Sequence, residues 1–232
     1  MTESIRPLLQ PSLTDLPRGP HGLARERVTG SQRQRLLYAM TVVVAEKGYT
    51  AATVADVTAR AGVSRKTFYE LFADKEECFI AAADTGRELM VKRLEASFVR
   101  SSAQSLSPLA TLRASIRAFL GLIAEEPEFA KAFFLETAAA GGRAQAHQDS
   151  CRTWFAGTMR AWHAKIPGHR SVPHETYTAA ADATHEAVCR RLRQGRIGEV
   201  PALEDAVLHI CLALMGVATP PEDAEEGEPG EA

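Results

Sequence analysis

The sequence predicts an all-α fold of about nine helices, and three observations carry that expectation. Apolar residues recur at helical spacing from Leu36 to Val217, capping residues and glycines punctuate them at short intervals, and no alternating β-branched run interrupts them. A chain of 232 residues, 45% hydrophobic and 6% aromatic, is long enough to bury one larger core or two small ones. No apolar run approaches the roughly 20 residues that a bilayer span requires, and the longest, near Tyr38, is broken by Thr41. The first residues carry Pro7, Pro11, Pro17 and Pro20 where a signal peptide needs a continuous apolar stretch, so a cytoplasmic protein is expected.

The elements follow in order. Residues 1–30 lack periodicity and read as a disordered, arginine-bearing arm. Ser31 and Gln34 have capping-box spacing and open a first helix with Leu36, Met40, Val43 and Val44 on one face, ending at Gly48. Thr53 and Asp56 repeat the signal for a short helix that stops at Gly62. Ser64 then caps a third, from about Arg65 to Phe72, with Val63 and Phe68 paired as a hydrophobic staple. Asp74 and Glu77 open a long helix whose apolar positions are Phe79, Ala83, Met90, Leu94 and Phe98. Beyond the serine-rich break at 101–107, helices are expected over Leu109–Ala124, Glu128–Ala140, Ala144–Ile166, Pro173–Gln194 and Pro201–Val217. The expected organisation is an arm (1–30), a three-helix domain (31–75), a larger helical domain (76–218) and a disordered tail (219–232).

Charge is distributed unevenly along this plan. The formal net charge is −2, yet Arg18 to Tyr69 holds nine basic residues against three acidic ones. From Pro220 the chain carries six acidic residues and no base among Pro and Gly, the composition of a segment that cannot bury itself. The part expected to fold is therefore mildly basic at its N-terminal end.

A motif lies beneath that basic excess. Thr53 to Phe72 has the helix, glycine turn, helix pattern in which the second helix enters the DNA major groove. Phe68, Leu71 and Phe72 fall on one side of the third helix at 100° per residue, which turns Lys66 and Glu70 outward with Thr67 and Tyr69 on the flanks. Arg, Lys, Thr and Tyr on so short a helix supply donors for phosphates and base edges, and the capped N-termini at Thr53, Ser64 and Asp74–Lys75 add backbone N–H groups.

The stretch from Val43 to Phe79, with Ala45-Glu46-Lys47-Gly48-Tyr49, Thr53, Ala61-Gly62-Val63-Ser64, Thr67-Phe68-Tyr69, Phe72 and Asp74-Lys75-Glu76, closely resembles the DNA-binding domain of the tetracycline-repressor (TetR, AcrR-like) family of transcriptional regulators. The resemblance covers about a fifth of the chain. It implies that Thr53, Ser64, Tyr69 and Lys75 meet phosphates while Arg65, Lys66, Thr67 and Glu70 face base edges. It also implies a homodimer on a palindromic double-stranded operator, its recognition helices about 34–36 Å apart, released by a small-molecule effector. Two positions depart from the family pattern: Glu70-Leu71, where an aromatic is common, and Val44, where an aromatic is usual in the first helix. Beyond the motif the resemblance gives architecture only. Ala180, Ala183 and Ala187 on one late helix and Leu203, Val207, Ile210 and Leu214 on the last are the expected dimer interface.

An effector pocket is expected among the aromatic residues of the second domain: Phe119, Phe133, Trp154, Phe155, Met159, Trp162, His163 and Tyr177, with His185 as a further polar anchor. No His or Cys pair has metal-ligand spacing, and no metal or cofactor is implied. Cys78, Cys151, Cys189 and Cys211 are read as reduced, buried residues. Two other readings stand beside the regulator: a ligand-independent or architectural DNA binder, and a helical enzyme built on a Cys/His pair with Glu125, Glu126 or Glu128. The chain has no nucleophile elbow, phosphate-binding glycine loop or HExxH motif to support catalysis.

Overall fold

The computed structural model describes residues 25–218, with side chains from Val28 onward. Arg18 of the arm and the acidic run after Pro220 lie outside the described residues, as do the side chains of Arg25 and Arg27. Among the described residues there are ten α-helices and no strand: α1 (Arg25–Lys47), α2 (Val54–Ala61), α3 (Arg65–Leu71), α4 (Lys75–Ala103), α5 (Pro108–Glu125), α6 (Pro127–Ala130), α7 (Thr137–Ala140), α8 (Gly142–His163), α9 (His174–Arg193) and α10 (Glu204–Met215). A π-helical turn, Lys131–Leu135, joins α6 to α7, and two 3₁₀ turns precede α10.

Local signals place most boundaries. Thr53 caps α2 through a reciprocal box with Asp56, Ser64 caps α3, Asp74 caps α4, and Ser107 caps α5 with Pro108 at its first position. Gly48 and Gly62 take the left-handed conformation that ends α1 and α2, with φ of +79° and +63°. Two expectations differ. Helix α1 begins at Arg25, so Ser31 and Gln34 lie inside it and cap nothing. The helix expected over 128–140 is interrupted by the π-turn and becomes α6 and α7, which raises the helix count.

The first three helices close on a small core of Leu36, Met40, Val43, Val57 and Phe68, each almost fully buried, and Val44 is absorbed there as well. Helix α4 leaves this unit and runs into the second, where it packs on α5 and α8. Helices α9 and α10 pack on one another, and α10 is fixed to α5 by Arg113 and Arg117, which pair with Glu204 and Asp205 at 2.6–3.1 Å.

Candidate DNA interface and effector cavity

Helix α3 is positioned from both ends. The Ser64 hydroxyl accepts from the Thr67 backbone N–H at 3.0 Å and lies 2.9 Å from the Thr67 hydroxyl. The buried rings of Phe68 and Phe72 anchor the opposite face. Arg65, Lys66, Tyr69 and Glu70 are exposed, Tyr69 at 52% despite its size, and the Tyr69 ring stands edge-on to Phe68 with centroids 5.3 Å apart. An aromatic hydroxyl held in water on a rigid ring is a pre-oriented phosphate donor. Lys66 Nζ is 3.9 Å from Glu70, an exposed pair worth little, so both side chains are free to turn toward DNA.

The scaffold under α3 is tied by charge. Lys47 on α1 pairs with Asp56 on α2 at 2.6 Å, Arg60 with Glu46 at 2.8 Å, and Arg35 donates to the Ala61 carbonyl at the end of α2 at 3.0 Å. Asp56 also accepts from the Thr53 backbone and hydroxyl, and with Lys47 these bonds hold its carboxyl down at about 2. The Thr53 hydroxyl is thus spent within the cap. Lys75 is also engaged internally. Its ammonium donates to the carbonyls of Tyr49 and Ala52 at 2.8 and 2.9 Å and sits 3.9 Å from the centroid of the Tyr49 ring. Burial lowers its pKa, and one of its three donors is left for a phosphate.

The second unit contains a cavity of about 180 Å³ walled by α4, α5, α8, α9, α10 and the π-turn. Phe79, Ile80, Ala83, Arg87, Met90, Leu94 and Phe98 face it from α4, a stripe about 28 Å long at 1.5 Å per residue. The apolar stripe legible on the long helix therefore faces a void along much of its length. Among the residues expected to line a pocket, Phe119, Phe133, Phe155, Met159 and Trp162 do so, and His185 joins them. Trp154, His163 and Tyr177 stand outside the lining: Trp154 packs edge-on against Phe155, while His163 and the Tyr177 hydroxyl bond to each other at 2.8 Å in the core. The aromatic residues Phe129 and Phe134 line it too, whereas periodicity did not single out Leu112 or Ile116, because a helix face turned to a cavity has the same pattern as one turned to a core.

The polar lining is already committed. The hydroxyls of Ser115, Thr137, Thr158 and Thr184 donate to carbonyls one turn back in their own helical segments at 2.8–3.1 Å. Arg87 pairs with Asp84, and Arg152 with Asp149 and Asp182. Burial lowers the pKa of His185, so it is neutral at pH 7. A ligand deep in this space meets apolar surface with few uncommitted polar groups.

Burial pushes every cysteine thiol upward, to about 11 for Cys189 and Cys211, so none offers a thiolate for nucleophilic attack. Cys151 lies 3.8 Å from His147 Nε2, and the same nitrogen faces Asp84, so the three do not form a relay through opposite ring nitrogens. Among the described residues no three His, Cys, Asp or Glu side chains gather as a metal site, and no helix is long and apolar enough to cross a membrane.

Residues 36–82 match the bacterial regulatory proteins of the tetR family, and that span contains the second half of α1, all of α2 and α3 and the start of α4. Over these residues the chain carries a helix-turn-helix unit similar to that of the tetR family. A curated TetR-family relative, the HTH-type transcriptional regulator EthR of Mycolicibacterium smegmatis, is 26% identical over 147 residues, which covers 62% of each chain. Solved structures share the fold. The fatty acid degradation regulator FadR of Bacillus halodurans superposes with a TM-score of 0.67 at 16% identity, over 78% of this chain and 94% of that one. FadR of Bacillus subtilis, in complex with stearoyl-CoA, gives 0.63 at 19% identity over 79% and 98%. A TetR-family regulator from Streptomyces coelicolor gives 0.60 at 19% identity over 81% and 95%. TetR-family proteins are transcriptional regulators and not enzymes.

The residues expected at a TetR-type dimer interface divide in two. Ala180, Leu203 and Val207 are buried within the subunit and belong to its own core. Ala183, Ala187 and Ile210 are half-buried, Ala187 packed against the core, and Leu214 is 42% exposed.

Proposed function

We propose that the chain is a homodimeric, cytoplasmic repressor that holds a palindromic operator through α3 and releases it when an elongated apolar molecule fills the cavity. The observation that carries this reading is the geometry of α4: its N-cap, Asp74, follows α3 by two residues, and its cavity face begins at Phe79 and continues to Phe98. One rigid rod thus touches both the DNA reader and the ligand space. Base edges fall to Arg65, Lys66, Thr67 and Glu70, phosphates to Ser64, Tyr69 and the backbone after Thr53. Exposed Leu214, with half-buried Ala183 and Ile210 on the same pair of helices, supports pairing about a two-fold axis. Residues 25–75 act as the reader and 76–218 as the sensor and dimer platform.

The effector class follows from shape. At about 180 Å³ the cavity is smaller than the roughly 300–1,000 Å³ of common ligand pockets, yet its lining is long, which suits a thin aliphatic chain better than a compact ring system. Long-chain acyl compounds fit that description, and a structural neighbour binds stearoyl-CoA. Binding need only favour one of two α4 positions by about 1–3 kcal/mol to switch the operator.

The test is a fluorescence-anisotropy titration onto the DNA flanking the gene, with a scrambled fragment alongside, in the presence and absence of stearoyl-CoA. Saturable preference for the native fragment, two subunits per site and weakening by the acyl compound are expected. Equal binding to both fragments would instead favour a sequence-indifferent binder, and bound acyl ligand without effect on the operator would remove the sensor role.

A further inference from the structure

The π-turn Lys131–Leu135 is held from two sides. On the cavity side, the Phe133 carbonyl accepts from the Thr137 hydroxyl at 2.8 Å and from Gln148 Nε2 at 3.1 Å, and the Phe134 carbonyl accepts from the Cys189 thiol at 3.3 Å. Gln148 Nε2 also lies 3.3 Å from His185 Nε2, whose ring stacks on Phe134 with centroids 5.2 Å apart. A π-turn frees carbonyls from the helix ladder, and here side chains of α7, α8 and α9 satisfy them.

On the other side, the next residue grips the DNA-binding unit. Glu136 Oε2 accepts from the Tyr49 backbone N–H at 2.9 Å, beside Gly48, where a Cβ would stand 3.2 Å from that oxygen. Tyr49 is a junction: its carbonyl holds Lys75, and its ring meets Phe79, which in turn meets Phe133 at 4.9 Å between centroids. A second grip lies close by, where Arg143 bonds Asp74 and Glu76 and the Ala144 N–H donates to Glu76.

We propose that Gln148 reads the cavity and that the π-turn with Glu136 carries the reading to Tyr49. An uncharged hydrogen-bond acceptor on an otherwise apolar ligand, such as the carbonyl of an acyl chain, takes the Gln148 donor from the Phe133 carbonyl. The π-turn then loses one of its cross-element bonds, Glu136 shifts with it, and the loop that leads into the Thr53 cap of α2 is loosened. This rests on the effector reading above and goes beyond it by naming the ligand group that is read and the path by which it acts. The amide is suited to the role because the hydroxyls of Ser115, Thr158 and Thr184 are spent within their own helices and Arg87 and Arg152 pair with carboxylates, Arg152 also reaching the Gln148 side-chain carbonyl oxygen at 3.4 Å, whereas the amide N–H crosses from α8 to the π-turn.

The experiment is amide hydrogen exchange at Tyr49 in the full chain, without DNA, together with operator titrations. Gln148→Met keeps the length of the side chain and removes the donor; it should raise exchange at Tyr49 by about fivefold to tenfold, the value of one net hydrogen bond, and weaken operator binding in the same direction. Glu136→Leu, which removes the acceptor itself, sets the full scale. Thr158→Val, which changes a cavity hydroxyl bonded only within its own helix, should leave Tyr49 at the wild-type rate. In the wild type, stearoyl-CoA should raise exchange at Tyr49 and its S-octadecyl thioether, which lacks the carbonyl, should not. Wild-type exchange in Gln148→Met, or an equal rise in Thr158→Val, overturns the proposal, and equal action of the two CoA compounds overturns the reading of the carbonyl. Silence of both compounds, with Gln148→Met still active, counts against the acyl effector and leaves the latch standing. Lack of operator preference in the wild type is a failure of the repressor reading alone, since the exchange measurement needs no DNA.

Discussion

The helix-turn-helix unit and the larger unit that holds the cavity are both bundles of helices, yet they are held together differently. In the first, each short helix has its own cap, each connecting glycine has its left-handed φ, and Phe68, Met40 and Leu36 are fully buried in the core. In the second, helices are longer, a void runs beside α4, and one helix is interrupted by a π-turn whose carbonyls depend on side chains from elsewhere. Caps and turns set within a few residues define the first unit, while the second depends on bonds between distant segments around a cavity. The two units are joined by α4 and the grips of Glu136 and Arg143.

If that contrast is correct, the largest effect belongs to Phe68→Ala. The ring is fully buried in a small core, and its loss should cost about 3–5 kcal/mol and unfold the reader first, seen as an early transition in urea by probes in α1–α3. A single transition at the wild-type midpoint would mean that the two units share their stability. Gly86→Ala comes next, because a Cβ there would stand 1.7 Å from the Phe129 ring, backbone of α4 against the wall of the cavity. A cost of about 1–3 kcal/mol is expected in a thermal melt, smaller if Phe129 can swing into the void.

Lys66→Ala and Lys75→Met sharpen the comparison within the reader. Loss of Lys66 should lower the salt slope of operator binding by about one per subunit, as for a phosphate or base contact in water. Lys75→Met should weaken binding with a smaller change in slope, because its ammonium already serves the Tyr49 and Ala52 carbonyls. Equal slopes in the two variants would make Lys75 a phosphate contact of the ordinary kind.

The smallest effect is on pH. The Asp56 carboxyl is lowered from 3.8 to about 2 by bonds from Lys47 and Thr53, so its contribution to stability is complete above 3.8 and is lost as pH falls toward 2. Urea midpoints measured from pH 5 to 2 should fall less steeply in Asp56→Asn than in the wild type, and parallel curves would show that the capping carboxylate adds nothing measurable.

The reader was almost wholly legible in the sequence because its information is local. Thr53 with Asp56, Ser64 with Phe68 and the glycines at 48 and 62 specify caps and turns within a few residues of themselves, and the outward side of α3 follows from 100° per residue. Only the start of α1 was misplaced, since Ser31 and Gln34 have the spacing of a cap but also suit an exposed helix face. In the sensor, the long helices and their apolar stripes were legible, while what each stripe faces was not. Phe79 and Phe98 look alike whether a neighbour fills the space or leaves it, and Val207 looks alike whether it is covered by its own chain or by a second copy.

What the sequence determined by itself, then, was the all-α class, the caps of α2 to α4, the order of the helices and which side of α3 faces outward, all set by contacts a turn or less apart. The tertiary structure alone decided that the helices around α4 leave a long cavity, that Lys-Ala-Phe-Phe-Leu at 131–135 departs from the α-helical ladder, and that Glu136 meets Tyr49 across 87 residues of chain. Those features depend on how volumes and hydrogen-bond partners from distant segments balance once they are brought together, a quantity that the spacing of residues along one helix does not contain.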